Sequence, residues 1–278
     1  MGTEAPVRVF IGSGEASLLE RKVLMHSLRK NSRRELDIWV MNGTHNALER
    51  NDEPPVPAGL PLHLKYRSFT EFSLFRYMIP DWCNHQGRAI YLDSDMIALG
   101  DIGELFDAPM GDAAVLAKPA YKADEWGTSV MLIDCARARW DLEQTYREID
   151  AGHYDYYEFS RFDPKYLRRH PLQIGEIDPQ WNVFDHHDAQ TKLIHYTELL
   201  TQPWKFPGHP HGELWFDYFR EAQSLGLISD WDVQKSIMRA YVRQDILQGN
   251  RPGSPAVKLK SIAWQIKQRV ARGLRRAG

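Results

Sequence analysis

The chain has few cysteines, only Cys83 and Cys135 in 278 residues. Two cysteines cannot build the disulfide framework of a small secreted fold, and their separation does not match the spacing of a zinc site. The sequence therefore predicts neither a disulfide-stabilised protein nor a cysteine-ligated zinc domain. A reducing cytoplasm is the expected location.

Long hydrophobic runs and a strong excess of one charge are also missing. No stretch of about 20 apolar residues, the length that a membrane-spanning helix needs, occurs in the sequence. The first residues, MGTEAPVRVFIG, lack the basic and apolar regions of a signal peptide. The net charge of −2 gives no reason to expect a polyanionic partner, so nucleic acid is not predicted as a ligand.

The segments that are present alternate between strand and helix patterns. The chain is long enough to bury a substantial core. Short apolar runs predict strands at 7–12, 36–42, 62–68, 88–95, 113–118 and 128–135, and helical spacing predicts helices at 15–31 and 72–80, the second ending at Pro80. This alternation predicts an α/β fold with a largely parallel sheet and helices on both faces. Ligands bind such sheets at the carboxyl ends of the strands.

Two aspartates stand at one of these strand ends, in the segment RAIYLDSDMIALGDI. In an extended chain, Asp93 and Asp95 project to the same side. Carboxylates this close repel each other unless one is protonated or a cation lies between them, and a hard divalent cation suits oxygen ligands. The alternative is a polar strand end whose carboxylates cap a helix or face water.

A histidine follows a second apolar run in TKLIHYTELLTQPWKF. His195 is therefore predicted at a strand end, where it can reach the same edge of the sheet as the aspartates. The alternative is a packed or hydrogen-bonded histidine without a ligand.

The C-terminal segment differs from the rest of the chain. After GNRPGSP, which reads as a linker, AVKLKSIAWQIKQRVARGLRRAG contains seven lysines and arginines and no acidic residue. Its apolar residues fall on one face of a helix, a pattern typical of a helix that lies on an anionic membrane surface. The alternative is a solvated or disordered tail. The predicted organisation is one α/β domain at 1–250 and a basic amphipathic tail at 251–278.

Four motifs carry a resemblance to a known family. YLDSDMIALGDIGELFD, TSVMLID, IDPQWNVFD and HYTELLTQPW occur in the order and rough spacing of the retaining glycosyltransferases of family 8. The resemblance covers roughly residues 7–205. It implies a GT-A type, Rossmann-like mixed sheet, mostly parallel and flanked by helices. It also implies metal-dependent transfer of a sugar from a nucleotide-sugar, expected to be a UDP-hexose, to a glycan or glycolipid with retention of configuration.

The resemblance implies a role for individual residues. Asp93, Asp95 and His195 correspond to the ligands of a divalent metal, and this mixed ligand set suits Mn²⁺ better than Mg²⁺. The positions that correspond to donor contacts are Ile11, Gly12 and Ser13 for the uracil and ribose, Ser94 near the ribose, Arg76 near the donor, and Thr128 and Ser129 facing the donor sugar. The family builds glycans such as lipopolysaccharide, so the expected setting is cell-surface polysaccharide synthesis at the inner face of a membrane.

The sequence departs from the family pattern at the sugar-binding positions. Gly-Thr-Ser at 127–129 replaces Asn-Ala-Gly, which removes an amide contact to the sugar. The Asp-Gln-Asp segment beside the anomeric carbon has no clear copy. Asp155, Glu158 and Asp163 are the candidates for its role, and catalytic roles are assigned to Glu158 and Asp163.

A further departure lies in the last motif. Glu198 and Gln202 replace its glycine and lysine, and Lys205 is predicted to supply the lost phosphate contact. The aromatic segment 203–219 either presents rings to a sugar acceptor or forms a core helix. Two other functions remain open: a catalytically silent GT-A protein that binds carbohydrate or nucleotide, and an Asp-x-Asp phosphatase, whose pair normally lies near the start of its domain.

Overall fold

The structure is a computed structural model that describes residues 5–50, 53–60, 70–120, 122 and 124–251, together with 255, 256, 259, 262, 263 and 266 of the tail. The strand predicted at 62–68 and most of the amphipathic tail lie outside the described residues. No helix in the described part of the chain is both long and apolar enough to span a bilayer.

The described strands form one large and one small sheet. The strands are β1 Val7–Ser13, β2 Leu36–Asn42, β3 Ala47–Glu49, β4 Val56–Pro57, β5 Arg88–Asp93, β6 Met96–Ala98, β7 Val115–Pro119, β8 Trp126–Asp134, β9 Ile174–Glu176, β10 Val183–Phe184 and β11 Leu193–His195. The large sheet has the order β4-β3-β2-β1-β5-β8-β7-β9, and the small sheet has the order β10-β11-β6.

The helices are distributed along the whole chain. The α-helices are α1 Leu18–Asn31, α2 Ile79–Trp82, α3 Ile102–Phe106, α4 Leu142–Asp150, α5 Tyr156–Ser160, α6 Pro164–Leu167, α7 Gly212–Ser224 and α8 Asp230–Met238. Short 3-10 helices lie at Glu15–Ser17, Phe75–Met78, Pro179–Trp181 and Ile246–Gln248.

The large sheet is mixed, and the predicted α/β architecture is confirmed. β1 runs parallel to both β2 and β5, while β8 runs antiparallel to both β5 and β7. The alternation of strand and helix thus describes the β1–α1–β2 unit correctly, but the strands after β5 do not all follow it. Pro80 does not end a helix as predicted: it lies in the first turn of α2, where no backbone N–H is needed.

The large sheet separates two apolar cores. Alternate residues of β5 face opposite sides, so Ile90 and Leu92 pack in the core that contains Leu24 of α1. Tyr91 faces the other side, in the core that contains Met131 of β8. Burial on both faces explains why β1 and β5 read as nearly continuous apolar runs.

A third core forms around α7. Trp204, Trp215, Phe216 and Phe219 are fully or almost fully buried there, together with Val23 of α1. Of the two roles predicted for the aromatic segment, this burial supports the core helix.

The aspartate pair lies where the two sheets meet. β5 ends at Asp93 in the large sheet, and β6 begins at Met96 in the small sheet. β11 pairs antiparallel with β6, so that His195 lies opposite Met96. This pairing brings the end of β11 next to the turn that holds both aspartates.

Candidate active site

Three side chains that could bind a cation converge at this turn. The ligand atoms of Asp93, Asp95 and His195 lie within 4.8 Å of one another. His195 Nε2 is 3.1 Å from Asp95 Oδ1, and the backbone N–H of Tyr196 donates to the carbonyl of Asp95 at 3.0 Å. The three residues predicted as metal ligands are therefore adjacent, although about 100 residues separate the aspartates from the histidine in the sequence.

The electrostatics of this group fit a divalent cation. Burial raises the pKa of Asp93, and the neighbouring charge of Asp95 raises it further against the opposing effect of Arg76. Burial disfavours the His195 imidazolium, but the carboxylate of Asp95 outweighs that effect and raises the pKa of His195. Asp95 Oδ1 is buried and accepts no hydrogen bond. Carboxylate oxygens and an imidazole nitrogen are suitable ligands for Mn²⁺ and for other divalent ions that bind both oxygen and nitrogen atoms.

Side chains behind the group hold its geometry. Asn182 Oδ1 lies 3.1 Å from His195 Nδ1, and because an amide oxygen only accepts, Nδ1 carries the proton and Nε2 faces the aspartates. Gln202 Nε2 donates to Asp95 Oδ2 at 3.0 Å and to the Tyr196 carbonyl at 2.8 Å. Asn182 is 0% exposed and Gln202 is 3% exposed, so neither side chain exchanges its partner for water easily.

Arg76 is a buried cation next to the first aspartate. Its guanidinium donates to Asp93 Oδ1 at 3.2 Å and to both the hydroxyl and the carbonyl oxygen of Thr128. It also lies 4.4 Å from the centre of the Tyr91 ring, and the Tyr91 hydroxyl donates to Asp93. Arg76 therefore offsets part of the negative charge at the turn and joins β5 to β8.

A cavity of about 670 Å³ opens beside Asp93. Its lining includes Arg76, Thr128 and Ser129, three of the residues predicted to contact the donor. The aromatic residues Trp126, Tyr156, Tyr157 and Phe184 and the cations Lys118, Lys122 and Arg161 also line it. The volume and the mixture of rings and polar groups are suitable for a sugar-sized ligand.

The remaining predicted donor contacts lie around the end of β1. Ile11, Gly12 and Ser13 are buried there, and Gly12 pairs with Asp93. A Cβ atom on Gly12 would lie 2.6 Å from both a carbon of the Phe72 ring and the hydroxyl of Tyr91, so a larger residue would displace them. Ser94 is also buried, within the aspartate turn itself.

The predicted phosphate contact, Lys205, is exposed and follows Gln202 by one short turn. Burial raises the pKa of Glu20 on α1 to about 8, and the positive charge of Lys205 opposes this rise while the charge of Asp95 adds to it. Lys205 and Asp95 therefore act on the same buried carboxyl group, with opposite effects on its pKa.

The two predicted catalytic carboxylates have other partners. Glu158 forms a capping box with Asp155 at the start of α5 and an ion pair with Lys165 at 3.0 Å. Asp163 caps α6 and lies 3.3 Å from Lys122 Nζ. Neither carboxylate lines the cavity beside Asp93. Their catalytic roles stay a prediction.

Sequence reasoning did not find Asn182 or Gln202 as site residues. Asn182 stands in IDPQWNVFD, one of the four motifs, but the motif does not indicate that its amide contacts a histidine 13 residues later. The sequence shows Gln202 only as a replacement for lysine, whereas in the structure its amide donates to the second aspartate, Asp95. The only signal in the sequence is that both amide side chains, Asn182 and Gln202, stand within 13 residues of the predicted ligand His195.

Comparison with known proteins places this geometry in context. No protein-family profile matches the chain. Protein CDI of Arabidopsis thaliana is 22% identical over 251 residues, which is 80% of this chain and 84% of the relative. This identity is too low to assign a family.

Solved structures share the fold. The galactosyltransferase LgtC, solved with donor and acceptor sugar analogues, superposes with a TM-score of 0.56 at 14% identity, over 77% of this chain and 96% of LgtC. The apo-form glycosyltransferase GlyE of Streptococcus pneumoniae TIGR4 gives 0.54 at 18% identity, over 86% of this chain and 64% of GlyE. The bifunctional glycosyltransferase WbbM gives 0.55 at 14% identity, over 83% of this chain and 51% of WbbM. The resemblance is confirmed at the level of the fold: the chain has the GT-A fold.

Proposed function

We propose that the protein is a metal-dependent glycosyltransferase of the family 8 type, which moves a sugar from a UDP-hexose to a glycan or glycolipid with retention of configuration. The observation that carries the proposal is the convergence of Asp93, Asp95 and His195 at the edge of a sugar-sized cavity in a GT-A fold. The catalytic domain spans 1–250 in this proposal.

The residues of the turn are suited to holding a nucleotide diphosphate. Asp93, Asp95 and His195 would hold Mn²⁺, or Mg²⁺, which when bound neutralises charge on the leaving diphosphate. Ile11, Gly12, Ser13 and Ser94 are proposed to contact the nucleoside, and Lys205 the phosphates. In this position Arg76 fixes the orientation of Asp93, and Thr128 and Ser129 line the cavity in which the donor sugar is proposed to bind.

The transfer exchanges one bond for another at the anomeric carbon. The bond from this carbon to the diphosphate oxygen breaks, and UDP leaves with the electron pair. The acceptor hydroxyl oxygen bonds to the same carbon, and its proton leaves to the diphosphate or to solvent. The fixed dipoles and charges around Asp93 require no rearrangement as charge develops, which lowers the barrier.

The tail supports a location at a membrane. Its seven basic residues and no acidic ones favour an anionic surface. Leu259, Ile262 and Ile266 are exposed along one side of a helical segment. We propose that the protein is a peripheral, cytoplasmic protein of the inner membrane face that contributes to a cell-surface polysaccharide such as lipopolysaccharide.

A silent sugar- or nucleotide-binding protein is the second candidate. The observation that favours it is that Glu158 and Asp163, the carboxylates predicted to act in catalysis, are engaged in capping and ion pairs. Such a protein would bind UDP with metal but would not turn over any donor.

Thermal denaturation with UDP and Mn²⁺ tests the proposal. Ligand at about 100 times its dissociation constant should add about 2.7 kcal/mol to the apparent stability. We expect this shift in the wild type and in the control Asp112→Ala, an exposed aspartate before β7, but not in Asp95→Ala. A wild type without the shift for UDP or any other nucleoside diphosphate would refute the proposal. Binding without hydrolysis or transfer across a screen of UDP-sugars would favour the silent protein.

A further inference from the structure

Lys118 is a cation at the inner wall of the cavity, near the end of β7. It pairs with Gly127 of β8, next to the two hydroxyl residues Thr128 and Ser129. Its Nζ donates to the backbone carbonyl of Asn182 at 2.5 Å and lies 3.9 Å from the centre of the Phe184 ring. The amino group is thus held in a defined position.

This position is close to the metal-binding group. The side chain of Asn182 contacts both His195 and Ser129, at 3.1 Å each. Lys118 therefore contacts the residue that orients one predicted metal ligand, and it lies on the side of the cavity where the donor sugar is proposed to bind.

The other cations of the cavity wall have carboxylate partners. Arg76 pairs with Asp93 at 3.2 Å, and Lys122 and Arg161 both pair with Glu125, the latter at 3.2 Å. Within the described part of the chain, Lys118 has no carboxylate partner: its contacts are the Asn182 carbonyl and the Phe184 ring.

A half-buried ammonium without a counter-ion is costly, and a ligand carboxylate would offset that cost. One of its three N–H groups is used by Asn182, which leaves two to donate into the cavity. Burial alone lowers the pKa of Lys118, consistent with the absence of a nearby negative charge. Tyr157, which lines the same cavity and is 52% exposed, offers a ring face on which a sugar can stack.

Resting on the proposed transferase function, we propose that Lys118 binds the carboxylate of an acidic sugar, a hexuronic acid, in this cavity. The carboxylate belongs either to the transferred sugar of the donor or to the sugar of the acceptor. Both sources present the same group to Lys118, and two binding experiments on the full chain distinguish them.

The donor experiment compares UDP, UDP-glucose and UDP-glucuronate by titration calorimetry with Mn²⁺ present. The acceptor experiment compares methyl glucoside with methyl glucuronide by NMR, with UDP and Mn²⁺ bound. We expect the acidic sugar to bind about 10- to 100-fold more tightly in one experiment, the range of a charged hydrogen bond. Lys118→Met should remove the preference and leave the affinity for UDP unchanged, which also shows that the variant is folded. Lys118→Gln provides a second neutral variant.

Lys122→Met is the matched control, because Lys122 lines the same cavity but is paired with Glu125. This control should keep the preference for the acidic sugar. If Lys122→Met also loses the preference for the acidic sugar, the preference comes from the overall charge of the cavity, and the role of Lys118 is overturned. An equal loss of UDP affinity in Lys118→Met would identify a diphosphate contact instead. If the wild type binds UDP but prefers the acidic sugar in neither experiment, only the role of Lys118 is overturned. If the wild type does not bind UDP at all, the proposed transferase function is overturned as well.

Discussion

Glu20 is a carboxylic acid on α1 that is 4% exposed, and its Oε2 atom has no hydrogen-bond partner. Burial raises its pKa to about 8. The folded protein therefore keeps a proton on Glu20 over a pH range in which the unfolded chain, with a pKa of about 4.3, has lost it. Because the folded state binds more protons in this range, stability falls as the pH rises from about 4.3 to about 8.

We predict that Glu20→Gln removes this contribution to the pH dependence. The variant should match the wild type at about pH 4 and exceed it by a few kcal/mol at about pH 9, since glutamine stays neutral. Urea unfolding at both values measures the difference. Glu213→Gln, on the exposed face of α7, is the control and should follow the wild type. Parallel curves for Glu20→Gln and the wild type would contradict the prediction.

Asn182 sets the orientation of His195 through one buried contact of 3.1 Å. We predict that Asn182→Ala weakens Mn²⁺ binding by about 10-fold, because the ring loses the partner that fixes its tautomer. Electron paramagnetic resonance of free Mn²⁺ measures this affinity without any turnover.

The control for this experiment is Asn31→Ala. The Asn31 amide donates to the carbonyls of Ser27 and Ala98 and to the hydroxyl of Tyr218, none of which is a predicted metal ligand or contacts one through its side chain. This variant should lose stability but keep the wild-type affinity for Mn²⁺. Equal metal affinity in both variants would show that Asn182 has only a structural role.

At the scale of the elements, the strongest local patterns gave the most accurate predictions. β2 has the predicted limits Leu36–Asn42, and α1 ends at the predicted Asn31. Segment 140–169, whose polar and aromatic residues show only weak periodicity, contains α4, α5 and α6. Each of these helices starts after an aspartate whose side chain caps it, a signal that their short length and weak periodicity concealed.

The C-terminal tail allows a prediction for one element. Leu259, Ile262 and Ile266 are 67%, 44% and 57% exposed, and their spacing places them along one side of a helix. We predict that the full chain sediments with vesicles that contain anionic lipid and not with neutral vesicles, and that added salt releases it.

Replacing these three residues together by serine should reduce vesicle binding by about 10-fold or more, because the buried apolar area is lost. Leu225→Ser with Met238→Ser, two exposed apolar residues outside the tail, is the control and should leave binding unchanged. Equal binding of the tail variant and the wild type would exclude the tail as the membrane contact.

At the scale of the whole molecule, the site depends on contacts between distant parts of the chain. β6 and β11 pair across about 95 residues, and that pairing delivers His195 to the aspartates. Gln202 reaches Asp95 over 107 residues. α7 covers α1 and completes the third core, which carries the loop that contains Gln202.

The sequence by itself determined the parallel unit β1–α1–β2, the strand that ends at Asp93, and the position of His195 at the end of an apolar run. These features are local, because apolar periodicity and the position of charged residues at strand ends can be read over a few residues. Only the tertiary structure decided the antiparallel direction of β8, the small sheet, the second contacts of Asn182 and Gln202, and the lack of a carboxylate beside Lys118 within the described residues. These features depend on which distant segments of the chain pack together. Such packing produces no periodic pattern in the sequence, so it cannot be read from a short stretch of residues.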